Sequence, residues 1–350
     1  MGSPAWLPET PMPAANATGN AATVLAYHER SKHRLERHAS GPETLDWDAQ
    51  PDPFCRFAGA PLTRLPLPTD DTTHWTSLFS PGAIAPHAAT LESLGLLFEL
   101  SFALSAWKRL GPDRWLLRCN PSSGNHPTEI YARAGWEIWM KVCTTTHQRN
   151  TRWNDAPGSR ASNSTPVCRV CWSASVQSTG ARWKYGERAF RYRQLDVGHA
   201  IGALRYACAV LGWRVHEVRL AHVPLATLLG LDRADDFDGA EREEPEALFE
   251  LRHTLATNAE AEASEDFSAW MSGARWSGNA NRLDARPMYR WPVLDEVAQA
   301  SRRTGRLSTS AVLHGPRHRL PRTDIAAATL VRARRSAQRF DRHRRKEIAQ

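Results

Sequence analysis

Two stretches carry the strongest hydrophobic pattern. Over 88–110, Leu91, Leu94, Leu97, Phe98, Phe102 and Leu104 leave little polar face, and the run predicts a buried helix. Over 183–211, Val197, Ile201, Leu204, Cys208 and Leu211 recur at spacings of four and three, which predicts a helix with one core-facing seam. Gly198, His199 and Gly202 fall around its other side, and Gly212 closes it. These two helices form the expected core, with Leu97, Phe98, Ile201 and Leu204 buried.

Weaker patterns fill the rest. Val24, Tyr27 and Leu35 mark a narrow apolar stripe on a charged helix over 21–39. Trp115–Cys119 reads as a short strand stopped by Asn120-Pro121, Trp213–Ala221 alternates as a strand, and 248–252 fits another. Pro292 opens a short amphipathic helix over 291–301, while acidic 232–247 reads as a loop. Residues 1–20 read as a flexible leader and 257–266 as linker. Segment 137–182 is poor in Leu and Ile, nearly without acids, and crowded with Thr, Ser, Asn, Arg and Trp. It follows neither the helical nor the strand period, so it is expected to be irregular and poorly packed, as a stretch read in a shifted frame would be. Helices alternating with single strands favour α/β or α+β layering over a helical bundle.

Charge changes this picture less than its total implies. The net charge is +8, but residues 301–350 hold fourteen Lys/Arg against three acids, a balance of +11 that leaves −3 for the other three hundred residues. The basicity therefore belongs to a C-terminal segment. That segment has no recognised nucleic-acid-reading motif and no interleaved aromatics, so specific nucleic-acid binding is not expected. No apolar run is long enough for a membrane span, mean hydropathy is −0.51, and the N-terminus lacks a basic region followed by an apolar stretch. No membrane role and a cytoplasmic location are expected. Six scattered cysteines do not make a disulfide framework. Cys168-Arg-Val-Cys171, with Cys143 and His147 upstream, supplies zinc-type ligands, but the sequence between them lacks the short hairpin of a zinc knuckle, and no metal is assigned. No Gly-x-Ser-x-Gly elbow is present.

The most informative polar stretch is Pro121-Ser-Ser-Gly-Asn-His-Pro-Thr-Glu129. Small hydroxyl residues and Gly let main-chain N–H groups approach a ligand, and Asn125 offers donors and an acceptor in one side chain. The same residues also fit an ordinary turn with Ser122 or Ser123 as a helix cap.

Three motifs in fixed order widen its meaning: Arg118–Tyr131, Trp183–Tyr192, and Leu195–Arg205 continuing through Leu211-Gly-Trp213. Together they resemble the flavin-dependent nitroreductase family, in the tandem-domain branch related to dehydrogenases that oxidise azolines to azoles in modified peptides. Tyr27-His-Glu-Arg-Ser-Lys-His33 resembles the opening helix of the first repeat. The resemblance implies an α+β fold, a sheet flanked by helices, that binds FMN at a two-fold interface and transfers hydride to a small-molecule or peptide substrate. It implies a phosphate-holding role for Arg30, Ser31 and Lys32, and again for Arg334, Arg335 and Ser336 at a helix start. It further implies that Ser122, Ser123, Gly124 and Asn125 line the flavin, with Gly198 and His199 close by. Catalytic side chains are not assigned, since flavin carries the hydride chemistry. The expected layout is a nitroreductase-like domain over 21–256, linker and helix over 257–323, and the incomplete start of a second such domain over 324–350, so that a homodimer is expected to complete the site. The other reading is a non-catalytic partner or remnant of the fold that does not bind flavin.

Overall fold

The seam around Leu204 folds as a long helix, and the sheet is built against it. The computed structural model describes residues 17–336, apart from 61, 67–70, 81, 112, 123–125, 135–138, 145–150, 155–169, 178, 254–275 and 306–322. The helices in chain order are α1 (Ala17–Arg30), α2 (Leu91–Ser101), α3 (Thr179–Tyr185), α4 (Ala189–Val210), α5 (His222–Leu228), α6 (Pro292–Ser301) and α7 (Ala327–Ala333). The strands are β1 (Phe57–Ala58), β2 (Leu62–Arg64), β3 (Leu104–Leu110), β4 (Asp113–Arg118), β5 (Thr128–Ala134), β6 (Trp139–Thr144), β7 (Thr151–Asn154), β8 (Val170–Gln177), β9 (Arg214–Val218), β10 (Glu243–Arg252) and β11 (Asn279–Ala280).

Seven strands pair in the order β2-β7-β6-β5-β8-β10-β9, each pairing antiparallel. Strand alternation sends neighbouring side chains to opposite faces. On β5, Ile130 and Ala132 join the core under α2 and α4, while Tyr131 joins a second cluster with Leu225, Leu228 and Phe237. The sheet is therefore flanked by helices on both faces, an α+β fold. Leu97, Phe98, Leu204, Cys208 and Leu211 are fully buried in the larger cluster, and Ile201 is half-buried against it. A third cluster joins Tyr27 of α1, Phe190 of α4, and Leu294 and Val297 of α6.

Three expectations are corrected. The apolar run 88–110 is not one helix. Thr90 caps α2 by accepting from the Ser93 amide at 3.3 Å, and the helix ends at Ser101. Leu104–Leu110 then forms a hairpin with β4, turning at Gly111 in the left-handed region at φ 60°. Segment 137–182 is not irregular throughout: it supplies β6, β7 and β8, and β8 sits between β5 and β10 with pairs on both sides. Backbone pairing there supplies the order that composition did not promise. The acidic 232–247 stretch likewise gives its last residues to β10.

The C-terminal segment is tied to the main core. Ala327 and Ala328 of α7 are fully buried in it, and the Ala327 amide donates to the Thr73 carbonyl at 2.8 Å. No helix among the described residues is long and apolar enough to cross a membrane.

Candidate functional site

The expected phosphate-holding residues near the N-terminus sit where α1 ends. Gly186, at φ 53°, turns the chain ahead of α4 in a space no side chain fits, because a Cβ there would lie 2.8 Å from the Gly41 backbone and 2.9 Å from the Trp291 ring. That turn sets Glu187, nearly buried, against α1. Arg30 grips its carboxylate bidentately, Nε to Oε2 at 2.8 Å and Nη2 to Oε1. Ser31 is buried, and its hydroxyl accepts from Arg191 Nε at 3.1 Å and Nη2 at 3.0 Å. Arg191 also donates to the His28 carbonyl at 2.6 Å. Lys32 pairs with Glu29 at 2.5 Å. Tyr27 ties both sides, donating to the Glu187 carbonyl at 2.7 Å and accepting from the Arg191 amide at 3.2 Å. The Glu187 hydrogen bond raises the Arg30 guanidinium above its ordinary value.

The second group lies where β4 runs out. The Cys119 amide donates to the Ala103 carbonyl at 2.9 Å, and its own carbonyl accepts from Arg334 Nε at 3.2 Å and Nη2 at 2.8 Å. Arg334 therefore reaches, within the same chain, a carbonyl three residues before Ser122. Burial pushes the Cys119 thiol up to about 12, so it is no ready nucleophile. Ser122 Oγ lies 3.1 Å from His126 Nδ1. His126 is buried, adopts the left-handed backbone at φ 46°, and stacks on Phe54 with ring centroids 5.9 Å apart. Beneath them the Arg118 guanidinium lies 3.7 Å from the Phe102 ring centroid and donates to the Phe102 carbonyl at 3.3 Å. Burial, and then the Arg118 charge, hold the His126 imidazole well below its ordinary value, so the ring is neutral. Asn120 Oδ1 and Thr128 Oγ1, on buried residues at either end of this loop, have no hydrogen-bond partner among the described residues. Ser123, Gly124 and Asn125 lie outside the described residues.

The remaining candidates sit apart from both groups. Gly198 and His199 are exposed on α4. Arg334–Ser336 follow the C-terminal end of α7, residues 337–350 lie outside the described residues, and Arg335 donates to the Arg332 carbonyl at 2.7 Å. Among the described residues no hydrogen bond or ion pair joins the Arg30 group to the Ser122 group. No cluster of three or more His, Cys, Asp or Glu side chains among them is placed to hold a metal ion. His147 and Cys168 lie outside the described residues.

Sequence reasoning missed the partners that decide these regions. Glu187 and His126 both stood inside quoted motifs, but nothing in their spacing pointed to Arg30 or to Ser122. A further cleft, open to solvent, lies between α4, α6 and β10, lined by Phe190, His222, Glu244, Glu246 and Arg302. Glu246 there accepts from Gln194 at 2.8 Å, and burial pushes its carboxyl up to about 7.

No protein-family model matches the chain, and no curated protein does. Solved structures do. A protein of Anabaena variabilis assigned as a nitroreductase aligns over 83% of this chain and 55% of its own, at 17% identity and a TM-score of 0.50. One of Ralstonia eutropha, assigned likewise, aligns over 62% of this chain and 98% of its own, at 12% identity and a TM-score of 0.39. The Escherichia coli microcin synthetase McbBCD complex with truncated pro-MccB17 bound aligns over 72% of this chain and 85% of the matched chain, at 10% identity and a TM-score of 0.34. The chain thus spans about half the length of the Anabaena structure. That likeness, at low identity, concerns the fold: this chain has a nitroreductase-like fold.

Proposed function

We propose that this chain is an FMN-dependent oxidoreductase domain that performs nitroreductase-like hydride transfer on a small-molecule or peptide substrate, in the cytoplasm and as a homodimer. The observation that carries the reading is the Cys119–Thr128 loop. Two buried polar atoms there, Asn120 Oδ1 and Thr128 Oγ1, find no partner among the described residues, and natural folds rarely leave such groups unanswered unless a ligand or water meets them. The small hydroxyl and amide residue types of this loop suit the polar edge of a flavin. Ser122 and the neighbouring 123–125 residues would hold its polar edge, and Arg334 keeps the Cys119 end of the loop in place. Bound FMN supplies hydride acceptance and donation. The chain's part is to hold and orient it, and the Phe54, Phe102 and Arg118 layer beneath gives the loop a stiff floor.

One observation favours a second reading, a partner or remnant of the fold that no longer holds flavin. Arg30, Ser31 and Lys32 are already engaged by Glu187, Arg191 and Glu29, so they serve a phosphate only if those partners yield. The visible spectrum of the purified protein separates the two. Bands of bound flavin, present on isolation or after added FMN, support the enzyme; a protein that stays colourless after FMN is added supports the remnant.

A further inference from the structure

Strand β9 pairs with β10 only from Leu248 onward. Ahead of Leu248 the start of α5 and the end of α6 lie beside β10, and the open cleft is formed there. Phe190, Leu220, Leu225, Pro245 and Ala298 give it an apolar wall. Its volume of about 90 Å³ is below the ~150 Å³ of a cavity that takes up benzene, so it suits a small end group of a ligand. Against β8 the register of β10 shifts between Pro245 and Ala247, which makes Glu246 the extra residue of a β-bulge. Bulges re-aim side chains, and this one sets a carboxyl group in the cleft wall.

The charged groups of the cleft are unequally paired. Arg302 grips Glu244 bidentately, Nε to Oε2 at 3.3 Å and Nη2 to Oε1 at 2.7 Å, and His222 Nε2 lies 3.4 Å from the same Oε2. Glu246 accepts from Gln194 on Oε1, which leaves most of a carboxylate's acceptor capacity unused. Arg303 donates Nη1 to the Leu220 carbonyl at 3.3 Å and has no ion pair among the described residues. We propose that this cleft binds a neutral carboxamide end group, whose N–H donates to Glu246 and whose carbonyl accepts from Arg303. The inference does not rest on the flavin reading.

The surroundings argue against an ion of either sign. A cation beside Glu246 would meet Arg303 and the field of Arg193. Arg193 is 2% exposed, its Nε has no partner among the described residues, and Glu246 is its foremost opposite charge. Glu244 does not offset a further cation, because Arg302 already holds it. An anion beside Arg303 would meet Glu246, which is ionised at pH 8, above the value of about 7 to which burial pushes its carboxyl. A carboxamide carries a donor and an acceptor without net charge, and its carbon stem suits the apolar wall.

Three probes of one shape decide between the charges: propionamide, propionate and propylammonium. Each is titrated at pH 8 into the 15N-labelled full chain, and the Gln194 side-chain amide, identified by its loss in Gln194→Met, reports binding. Propionamide should saturate that signal and bind at least about fivefold tighter than either ion. Glu246→Gln and Arg303→Met should each weaken propionamide by about tenfold or more, the worth of a hydrogen bond to a charged group. Tightest binding by propionate or by propylammonium overturns the inference, as does equal binding of all three or no saturation by propionamide. Wild-type affinity for propionamide in either variant also overturns it, since the amide would then sit elsewhere. The ranking of the three probes needs no variant, so a substitution that unfolds the chain does not suspend the test.

Discussion

Arg30, Ser31 and Lys32 are answered by the chain itself; near Ser122, two buried acceptors find no partner among the described residues. Arg30 is matched by Glu187, Ser31 by Arg191 and Lys32 by Glu29. At the loop, Asn120 Oδ1 and Thr128 Oγ1 have no partner among the described residues, and Arg334 is spent on a main-chain carbonyl next to them. Both regions carry residue types suited to a phosphate or a flavin. What separates Arg30, Ser31 and Lys32 from Asn120 and Thr128 is pairing: side chains already paired within the chain are part of the scaffold, whereas a buried acceptor without a protein partner is where water or a ligand is met.

The largest expected effect tests the frame both regions share. Leu204 is fully buried between α2 and the sheet, and Leu204→Ala should cost roughly 2–5 kcal/mol in denaturant unfolding. It should lower stability without favouring either region. A near-neutral result would mean that α4 is not the element on which they hang.

Arg30→Ala comes next. It leaves the nearly buried Glu187 carboxylate unmatched, and should cost about 1–3 kcal/mol, toward the lower end because Arg30 itself is 55% exposed. On the comparison drawn above, it should not alter the preference for FMN over riboflavin, which lacks the phosphate. Loss of that preference would show that Arg30 leaves Glu187 for a ligand, and would erase the contrast between the regions.

The loop has an acid signature of its own. His126 in the folded protein refuses a proton that the unfolded chain accepts below about pH 6.5, so the unfolded state binds more protons there and stability falls as pH drops through that value. The loss approaches about 1.4 kcal/mol per pH unit while the folded ring stays neutral. Chemical denaturation from pH 7.5 down to 5.5 should show this decline in wild type and a flatter profile in His126→Asn. Equal slopes would place the ring in contact with solvent.

The smallest effect concerns the C-terminal strap. Arg332 holds Glu99 at 2.7 and 2.9 Å on a partly exposed surface, so Glu99→Gln should cost only about 0.2–1 kcal/mol. Arg334→Ala, by contrast, should weaken FMN binding in a single chain, because its contact with the Cys119 carbonyl is made within that chain. An effect seen only in a dimer would restore the expectation drawn from sequence, that the tail arginines act across an interface.

The sequence made α4 legible because one face of a long helix repeats without interruption from Val197 to Leu211. It made 88–110 misleading, since an apolar run does not distinguish a helix from a helix followed by a hairpin, and the turn at Gly111 decides it. Strand β8 was invisible for a different reason: its order comes from pairing with β5 and β10, which are distant in sequence. In the candidate site, the stretch Ser122–Asn125 drew attention through its small polar residues, but the roles of Glu187 and His126 depend on tertiary partners. Before Pro127, a left-handed His126 was not a conformation that composition could announce.

The central claim, that the Cys119–Thr128 loop is a flavin site, is tested most directly by titrating FMN into the purified protein and into Ser122→Ala while following flavin fluorescence and absorbance. Saturable quenching with a shifted visible band in wild type, weakened about three- to tenfold in Ser122→Ala with the melting profile unchanged, is the result expected. Free-flavin fluorescence throughout, or equal affinity in the two proteins, would contradict it.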